Sequence, residues 1–123
     1  MRKDNMYFKK DKKVKLIKQR EEQDEYGAPY TAYVYITPPD GIWAYAKQLS
    51  QQQIFECRQF GENETRLFVL NYRNDITLYD LVEYRGHYYS ITRLDTKDDY
   101  RNELFVYAKD VPEETVGSIQ PMS

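Results

Sequence analysis

The chain has 123 residues, a formal net charge of −2 at pH 7, and an aromatic content of 13 Tyr, five Phe and one Trp. This length accommodates one domain with one modest hydrophobic core. The single cysteine excludes an intrachain disulfide, and the sequence lacks the apolar run of about 20 residues that a transmembrane helix needs.

Positive charge is concentrated at the N-terminus. Residues 1–20 carry nine Lys or Arg and two Asp, whereas the rest of the chain carries nine basic and eighteen acidic residues. Residues 1–13 are predicted to form a mobile basic arm, either simply solvated or bound to an acidic partner or to DNA phosphates without reading sequence. The candidate partner-binding residues of the arm are Lys9, Lys10, Lys12 and Lys13.

Alternating apolar and polar residues predict three strands in the first half of the chain. They are Val14–Arg20, Tyr30–Ile36 and Ile42–Ala46. The carboxylate-rich stretch Glu21–Gly27 is typical of a turn, and the Pro-Pro-Asp-Gly sequence at 38–41 ends the second strand.

Trp43 lies in the third predicted strand and shares a face with Tyr45, opposite Ile42, Ala44 and Ala46. Our first interpretation is that Trp43 anchors the core of the domain, and the alternative is an aromatic contact between neighbouring subunits. Tyr72, Tyr84 and Tyr89 are further candidates for core or subunit contacts. Other predicted core residues are Leu67, Val69, Leu81, Ile91, Leu104 and Val106.

The connection formed by residues 47–63 is long for a small β domain and rich in glutamine, and long loops in compact domains are often functional. Ser50 is suited to cap a short helix over Gln51–Phe60, and an irregular excursion is the alternative. The residues singled out as a candidate channel or gating loop are Lys47, Gln48, Ser50, Gln51, Gln52, Gln53, Arg58 and Gln59.

The second half of the chain contains further alternating runs, at Arg66–Tyr72, Leu81–Arg93 and Glu103–Lys109. The Arg85-Gly86 pair folds the middle run into a hairpin. These patterns predict a mainly β fold: a small antiparallel β-barrel or sandwich of about six strands over residues 14–110. One long loop and flexible termini, including a C-terminal tail at 111–123, complete the prediction.

Residues suited to catalysis or metal binding are sparse. His87 is the only histidine, the single cysteine Cys57 has no histidine near it in sequence, and the five glycines are scattered. The carboxylates in Glu21–Glu25 lack the spacing of a calcium-binding loop. The sequence therefore predicts no enzyme activity, no cofactor and no metal site.

The order of these elements resembles the head–tail joining family of tailed bacteriophages, the head-closure or stopper connectors of long-tailed phages. The resemblance lies in the collinear order of its pieces from residue 14 to residue 109, and none of them is specific alone. The matching pieces are Leu16–Arg20, Asp24–Gly27, Trp43-Ala44, Ser50, Thr65–Arg73, Tyr84, Gly86, Tyr89 and Ile91. Asn71-Tyr72-Arg73 departs from the expected Arg-Tyr pair, so no role is assigned to Arg73.

The resemblance implies a structural protein of the virion neck that is assembled in the cytoplasm of the bacterial host. It implies a ring, commonly twelvefold, beneath the portal or a portal-bound adaptor, formed from subunits that are monomeric when free. Such a ring extends the DNA channel, closes it over packaged double-stranded DNA with non-specific contacts, and docks the tail or a tail-completion protein. No membrane partner is implied.

Two alternatives remain open at the level of sequence. A tail-completion protein of the same neck differs only in which neighbour it binds. A nucleic-acid-binding barrel would stack bases on strand aromatics such as Tyr33, Tyr35, Tyr88 and Tyr89.

Overall fold

The computed structural model describes residues 9–49, 65–96 and 102–122. Seven β-strands and one short 3-10 helix lie in these ranges. The strands are β1 (Lys12–Gln23), β2 (Pro29–Tyr35), β3 (Ile42–Gln48), β4 (Arg66–Asn71), β5 (Leu81–Tyr84), β6 (His87–Asp95) and β7 (Glu103–Val111), and the helix is Glu113–Thr115.

Six of these strands close an antiparallel barrel in the order β1-β3-β4-β7-β6-β5, because β5 pairs back with β1. The seventh strand, β2, pairs with the outer half of β1. The predicted mainly β fold, with a small antiparallel barrel of about six strands, is therefore confirmed. The Arg85-Gly86 hairpin is confirmed as well, since it joins β5 to β6, and Arg85 adopts the left-handed conformation that such tight turns need.

The barrel interior is filled by alternate side chains of all six strands. Phe68 lies at its centre, and the rings of Tyr84 and Tyr89 meet it edge-on with centroid distances of 5.6 and 5.5 Å. Edge-to-face packing is favourable for aromatic rings. The buried interior residues are Val14, Leu16, Ala44, Phe68, Leu70, Ile76, Val82, Tyr84, Tyr89, Ile91, Leu104, Val106 and Ala108.

Two further apolar clusters lie on the outside of the barrel wall. The first contains Ile17, Leu81 and Val116, and the second contains Leu49, Leu67 and Val69. All six predicted core residues are buried, but Leu67, Val69 and Leu81 belong to these outer clusters. Half-buried tyrosines pack around both clusters: Tyr33, Tyr35 and Tyr88 around the first, and Tyr45 and Tyr107 around the second.

The C-terminal tail, predicted to be flexible, instead packs against the sheet. Val116 is buried in the first outer cluster. Gln120 forms a parallel bridge with β2, since its backbone N–H donates to the carbonyl of Tyr33 and its carbonyl accepts from the N–H of Tyr35, both at 2.9 Å. In the described part of the tail beyond β7, Val116 and Ile119 are the residues that pack on this cluster, and two such residues make no periodic pattern in the sequence.

β1 is longer than predicted at both ends. Lys12 and Lys13, which the sequence placed in the basic arm, pair with Ala44 and Trp43 of β3. At the other end the pairing with β2 continues to Gln23, so the turn is confined to residues 24–28. These ends of β1 were not predicted because they consist mainly of charged residues and therefore show no apolar alternation.

A glycine turn joins β2 to β3. Gly41 has φ of +82°, and a Cβ atom there would lie 2.7 Å from the carbonyl oxygen of Val14. Glycine is required at this position both by the left-handed backbone and by the close approach of β1. The turn thereby lets β2 and β3 pair with successive parts of the same strand.

Asp80 is a buried carboxylate, 2% exposed, that links β1 to the connection between β4 and β5. Its Oδ1 accepts the backbone N–H of Gln19 at 3.0 Å, and its Oδ2 accepts the backbone N–H of Thr77 at 2.7 Å. The ammonium group of Lys18 lies 3.1 Å from Oδ2. Because buried charges are costly unless paired and hydrogen-bonded, this set of donors makes the position specific for aspartate.

Replacing Asp80 with alanine is expected to lower the free energy of unfolding by about 3 kcal/mol, because it leaves two backbone N–H groups and one ammonium group without their acceptor. Denaturant unfolding followed by circular dichroism measures the change. Asp75→Ala is the matched control, since Asp75 pairs with Arg73 at the surface and its loss is expected to cost less than about 1 kcal/mol. Equal effects of the two substitutions would contradict the structural role of Asp80.

Candidate functional site

The outward side of β3 presents an exposed tryptophan. Trp43 is 56% exposed, whereas Ala44 beside it is fully buried in the barrel interior. The interpretation of Trp43 as a core anchor is therefore wrong. The prediction failed because strand alternation separates the two faces of a strand without showing which face is buried. A contact with another molecule remains the interpretation that fits an exposed tryptophan.

A lysine lies directly over this tryptophan. Lys13 of β1 is the cross-strand neighbour of Trp43, and its Nζ lies 4.2 Å from the centroid of the Trp43 ring. A cation held over an aromatic ring is attracted by the ring's negative face. Together with Tyr45 and Lys47, which alternate with Trp43 on the outward side of β3, these residues form a surface that we call the Trp43 face.

Another cation–aromatic pair lies on the outside of the barrel. The guanidinium of Arg93 lies 4.0 Å from the ring centroid of Tyr107, across the pairing of β6 with β7. Tyr107 also packs on the outer cluster of Leu49, Leu67 and Val69. Neither pair is predictable from the sequence, because only the strand register shows which residues become neighbours across strands.

The lysines assigned to the arm differ in their partners. Lys10 donates a hydrogen bond to Glu103 of β7, and Lys12 donates one to Asp11 at 3.0 Å. The hydrogen bond from Lys12 lowers the pKa of the Asp11 carboxyl below its ordinary value. Lys9 is exposed. Within the described residues neither Lys9 nor Lys13 forms a salt bridge, so they are better placed than Lys10 or Lys12 to meet an acidic surface.

The predicted tyrosine contacts separate into two groups. Tyr84 and Tyr89 are buried core residues, 5% and 3% exposed. Tyr72 is half-buried and lines a cleft of about 360 Å³ together with Arg73 and Leu94. Of the tyrosines predicted as core or subunit contacts, only Tyr72 therefore reaches a surface.

The ends of the long connection are fixed by the barrel. Lys47 and Gln48, assigned to the loop, instead lie in β3 and pair with Leu67 and Arg66. The ladder continues one step further, because the N–H of Leu49 donates to the carbonyl of Thr65 at 3.0 Å. The other predicted loop residues lie outside the described residues: Ser50, Gln51, Gln52, Gln53, Arg58 and Gln59, together with Cys57.

The remaining predictions concern the histidine, metal binding and membrane-spanning segments. His87 is exposed at the first position of β6, as expected for a surface residue. In residues 9–49, 65–96 and 102–122, no three His, Cys, Asp or Glu side chains are grouped so that they could hold a metal ion. Within the same ranges, no helix has the length and apolar character needed to cross a membrane.

Comparisons with known proteins place these observations in context. The model of a family described as phage head completion protein matches residues 8–111, which include the whole barrel. No curated protein matches the chain. The solution structure of protein SF1141 from Shigella flexneri 2a is similar in fold, with a TM-score of 0.66 and 16% sequence identity over 83% of this chain and 93% of that one.

Replacing Trp43 with alanine is expected to leave the barrel folded, with a loss of about 1 kcal/mol in the free energy of unfolding, because the residue is 56% exposed and its truncation leaves no cavity in the barrel interior. Phe68→Ala is the comparison, since Phe68 is fully buried and its truncation is expected to cost about 3–5 kcal/mol. Thermal and denaturant unfolding of both variants measures the difference. A Trp43 variant as unstable as the Phe68 variant would restore the core-anchor interpretation.

Proposed function

The chain belongs to the phage head completion protein family, and we propose that it forms a ring beneath the portal of the filled head. Proteins of this family are structural components of the phage virion that close the head. In the proposed ring the barrels surround and extend the DNA channel, and their far side offers the docking site for the tail. The observation that carries the proposal is the family match over the entire barrel, residues 8–111.

The surface of the barrel supports a role in protein contacts. Trp43 is exposed next to Lys13 and on the same outward side of β3 as Lys47, and tryptophan is enriched at the centres of protein interfaces. Such a small patch gives a weak contact alone. Copies held side by side on a portal or adaptor gain a high effective concentration, so a subunit that is monomeric when free would close into a ring on that platform. A ring of twelve would match the portal.

The connection between Leu49 and Thr65 is the proposed channel element. Its two ends leave the barrel side by side, since Leu49 and Thr65 are hydrogen-bonded. The uncharged glutamines at positions 51–53 suit a lining that contacts packaged DNA without gripping its phosphates. The gating role of this connection rests on its length and composition.

The alternative of a nucleic-acid-binding barrel loses support. Tyr89 lies in the barrel interior, and Tyr33, Tyr35 and Tyr88 pack against the outer cluster of Ile17 and its neighbours. Tyr35 also donates a hydrogen bond to Glu83, and burial together with that bond raises its pKa. Tyrosines held in this way do not present free ring faces for base stacking.

The experiment that tests the proposed function uses DNA-filled heads of the phage that encodes this protein, made without it. Adding the purified chain is expected to protect the packaged DNA from nuclease and to make the heads competent to join purified tails. Co-sedimentation of the chain with heads and with free tails measures which of the two it binds. We expect it to sediment with heads and not with free tails. Binding to tails alone would identify a tail-completion protein instead, and salt-dependent binding to single-stranded DNA with no binding to heads would favour the nucleic-acid alternative.

The gating proposal predicts the outcome of a deletion. Removing Gln51–Phe60 leaves five residues between Leu49 and Thr65, a length that ordinary hairpins tolerate. The variant is therefore expected to keep the circular dichroism spectrum and stability of the parent and to bind heads. Heads that bind this variant are expected to leak their DNA to nuclease. If they retain DNA as well as heads completed with the full chain, the connection is not the gate.

A further inference from the structure

The hairpin of β1 and β2 extends beyond the barrel wall. β1 pairs with β5 only as far as Ile17, whereas its pairing with β2 continues to Gln23. Every residue from Gln23 to Thr31 is exposed. The end of this hairpin therefore projects as a two-stranded ribbon, which we call the hairpin tip, residues 21–31.

The hairpin tip is acidic and aromatic. It contains four carboxylates and no basic residue, and Tyr26 and Tyr30 are 87% and 45% exposed. Within the described part of the chain, none of these carboxylates forms a salt bridge. The four carboxylates are Glu21, Glu22, Asp24 and Glu25.

The tip is also ordered before it meets a partner. The Oδ1 of Asp24 accepts the backbone N–H groups of Tyr26 and Ala28 at 2.8 and 2.9 Å, which fixes the turn. The hydroxyl of Tyr30 donates to Glu22 at 3.0 Å across the two strands. A surface that is already ordered loses little conformational entropy on binding.

The Trp43 face has the complementary chemistry. Lys13 and Lys47 supply positive charge on its outward side, and Trp43 supplies exposed aromatic area. The tip and the face lie at opposite ends of β1: from Lys13 to Gln23 the strand spans about 33 Å. Because β1 is a continuous paired strand, a subunit cannot place its own tip on its own Trp43 face.

We propose that the hairpin tip of one subunit docks on the Trp43 face of the next copy, with Tyr26 against Trp43 and the tip carboxylates beside Lys13 and Lys47. Two different surfaces of the same chain meet in this contact, so it can repeat head to tail. Such a contact generates a ring when the rotation that relates neighbouring subunits adds up to a full turn. The inference rests on the proposed ring and adds the surfaces that build it. The occupant is a second copy because this chain supplies both the acidic ribbon and the basic aromatic surface.

Cross-linking between single cysteines tests this contact. In the Cys57→Ser background, Glu25→Cys places a thiol on the tip and Lys47→Cys places one on the face; both positions are exposed. When the two variants are mixed, either at high concentration or bound to heads, a short bis-maleimide is expected to link them into heterodimers. A chain that carries both cysteines is expected to give a ladder of cross-linked oligomers. Glu114→Cys, at an exposed acidic position on the 3-10 helix, replaces Glu25→Cys in the control and is expected to give no product.

Charge reversal separates a specific contact from chance collision. Lys13→Glu on the chain that carries the face cysteine is expected to lower the heterodimer yield at least about tenfold, because like charges then oppose each other. Glu21→Lys with Glu22→Lys on the partner chain is expected to restore it. An unchanged yield, or cross-linking of the Glu25→Cys variant only with itself, would overturn the proposal.

The two proposals fail in different ways. If the parent chain closes heads but the double-cysteine chain gives no ladder on them, the head-closure function stands and the docking of tip on face is wrong. If the ladder forms in concentrated solution while the parent chain does not bind heads, the docking is right and the ring beneath the portal is wrong.

Discussion

Closure of the barrel depends on one strand, β1, which pairs with three others. Its first residues pair with β3, its centre with β5 and its outer half with β2. Ile17 has a partner on each side, Tyr35 and Leu81, so β1 presents no open edge at the point of closure. Asp80 fixes the register by accepting the N–H of Gln19. A shift of one residue would turn Leu16 out of the interior and break this hydrogen bond.

Packing on both sides of the barrel wall explains the high tyrosine content. The interior of a six-stranded barrel is narrow, and a domain of this size needs additional buried area. β4 supplies it by burying four successive residues, Leu67–Leu70, alternately inside and outside the barrel. The outer layer is half-exposed, and tyrosine suits such positions because its ring packs while its hydroxyl stays in water. The tyrosines around Ile17 and around Val69 therefore stabilise the outer side of the barrel wall. Trp43, by contrast, is the exposed aromatic residue of β3.

Local patterns predicted the strands and the fold class, because period-2 alternation is clear in strands such as β6 and β7 and the continuous apolar run of β4 is also typical of a buried strand. The patterns failed where the determining contact is distant in sequence. No sequence pattern singles out Asp80, because only the fold brings the N–H of Gln19 to it. Trp43 appeared to be a core anchor because a large apolar residue in a strand usually faces inward. The pair of Lys13 and Trp43 depends on the register between two residues 30 positions apart in sequence, which alternation does not determine.

The strand that closes the barrel also determines how the two proposed docking surfaces are related. Lys13 lies near the start of β1 and the hairpin tip lies beyond its end, so the fold sets both their separation and their relative direction. In the proposed ring, the angle between neighbours is therefore a property of the folded subunit. A contact between two such small surfaces would be weak alone, so free copies would stay apart until a platform brings them together. A head-closure protein needs this combination, because a ring that assembled in solution would compete with assembly on the filled head.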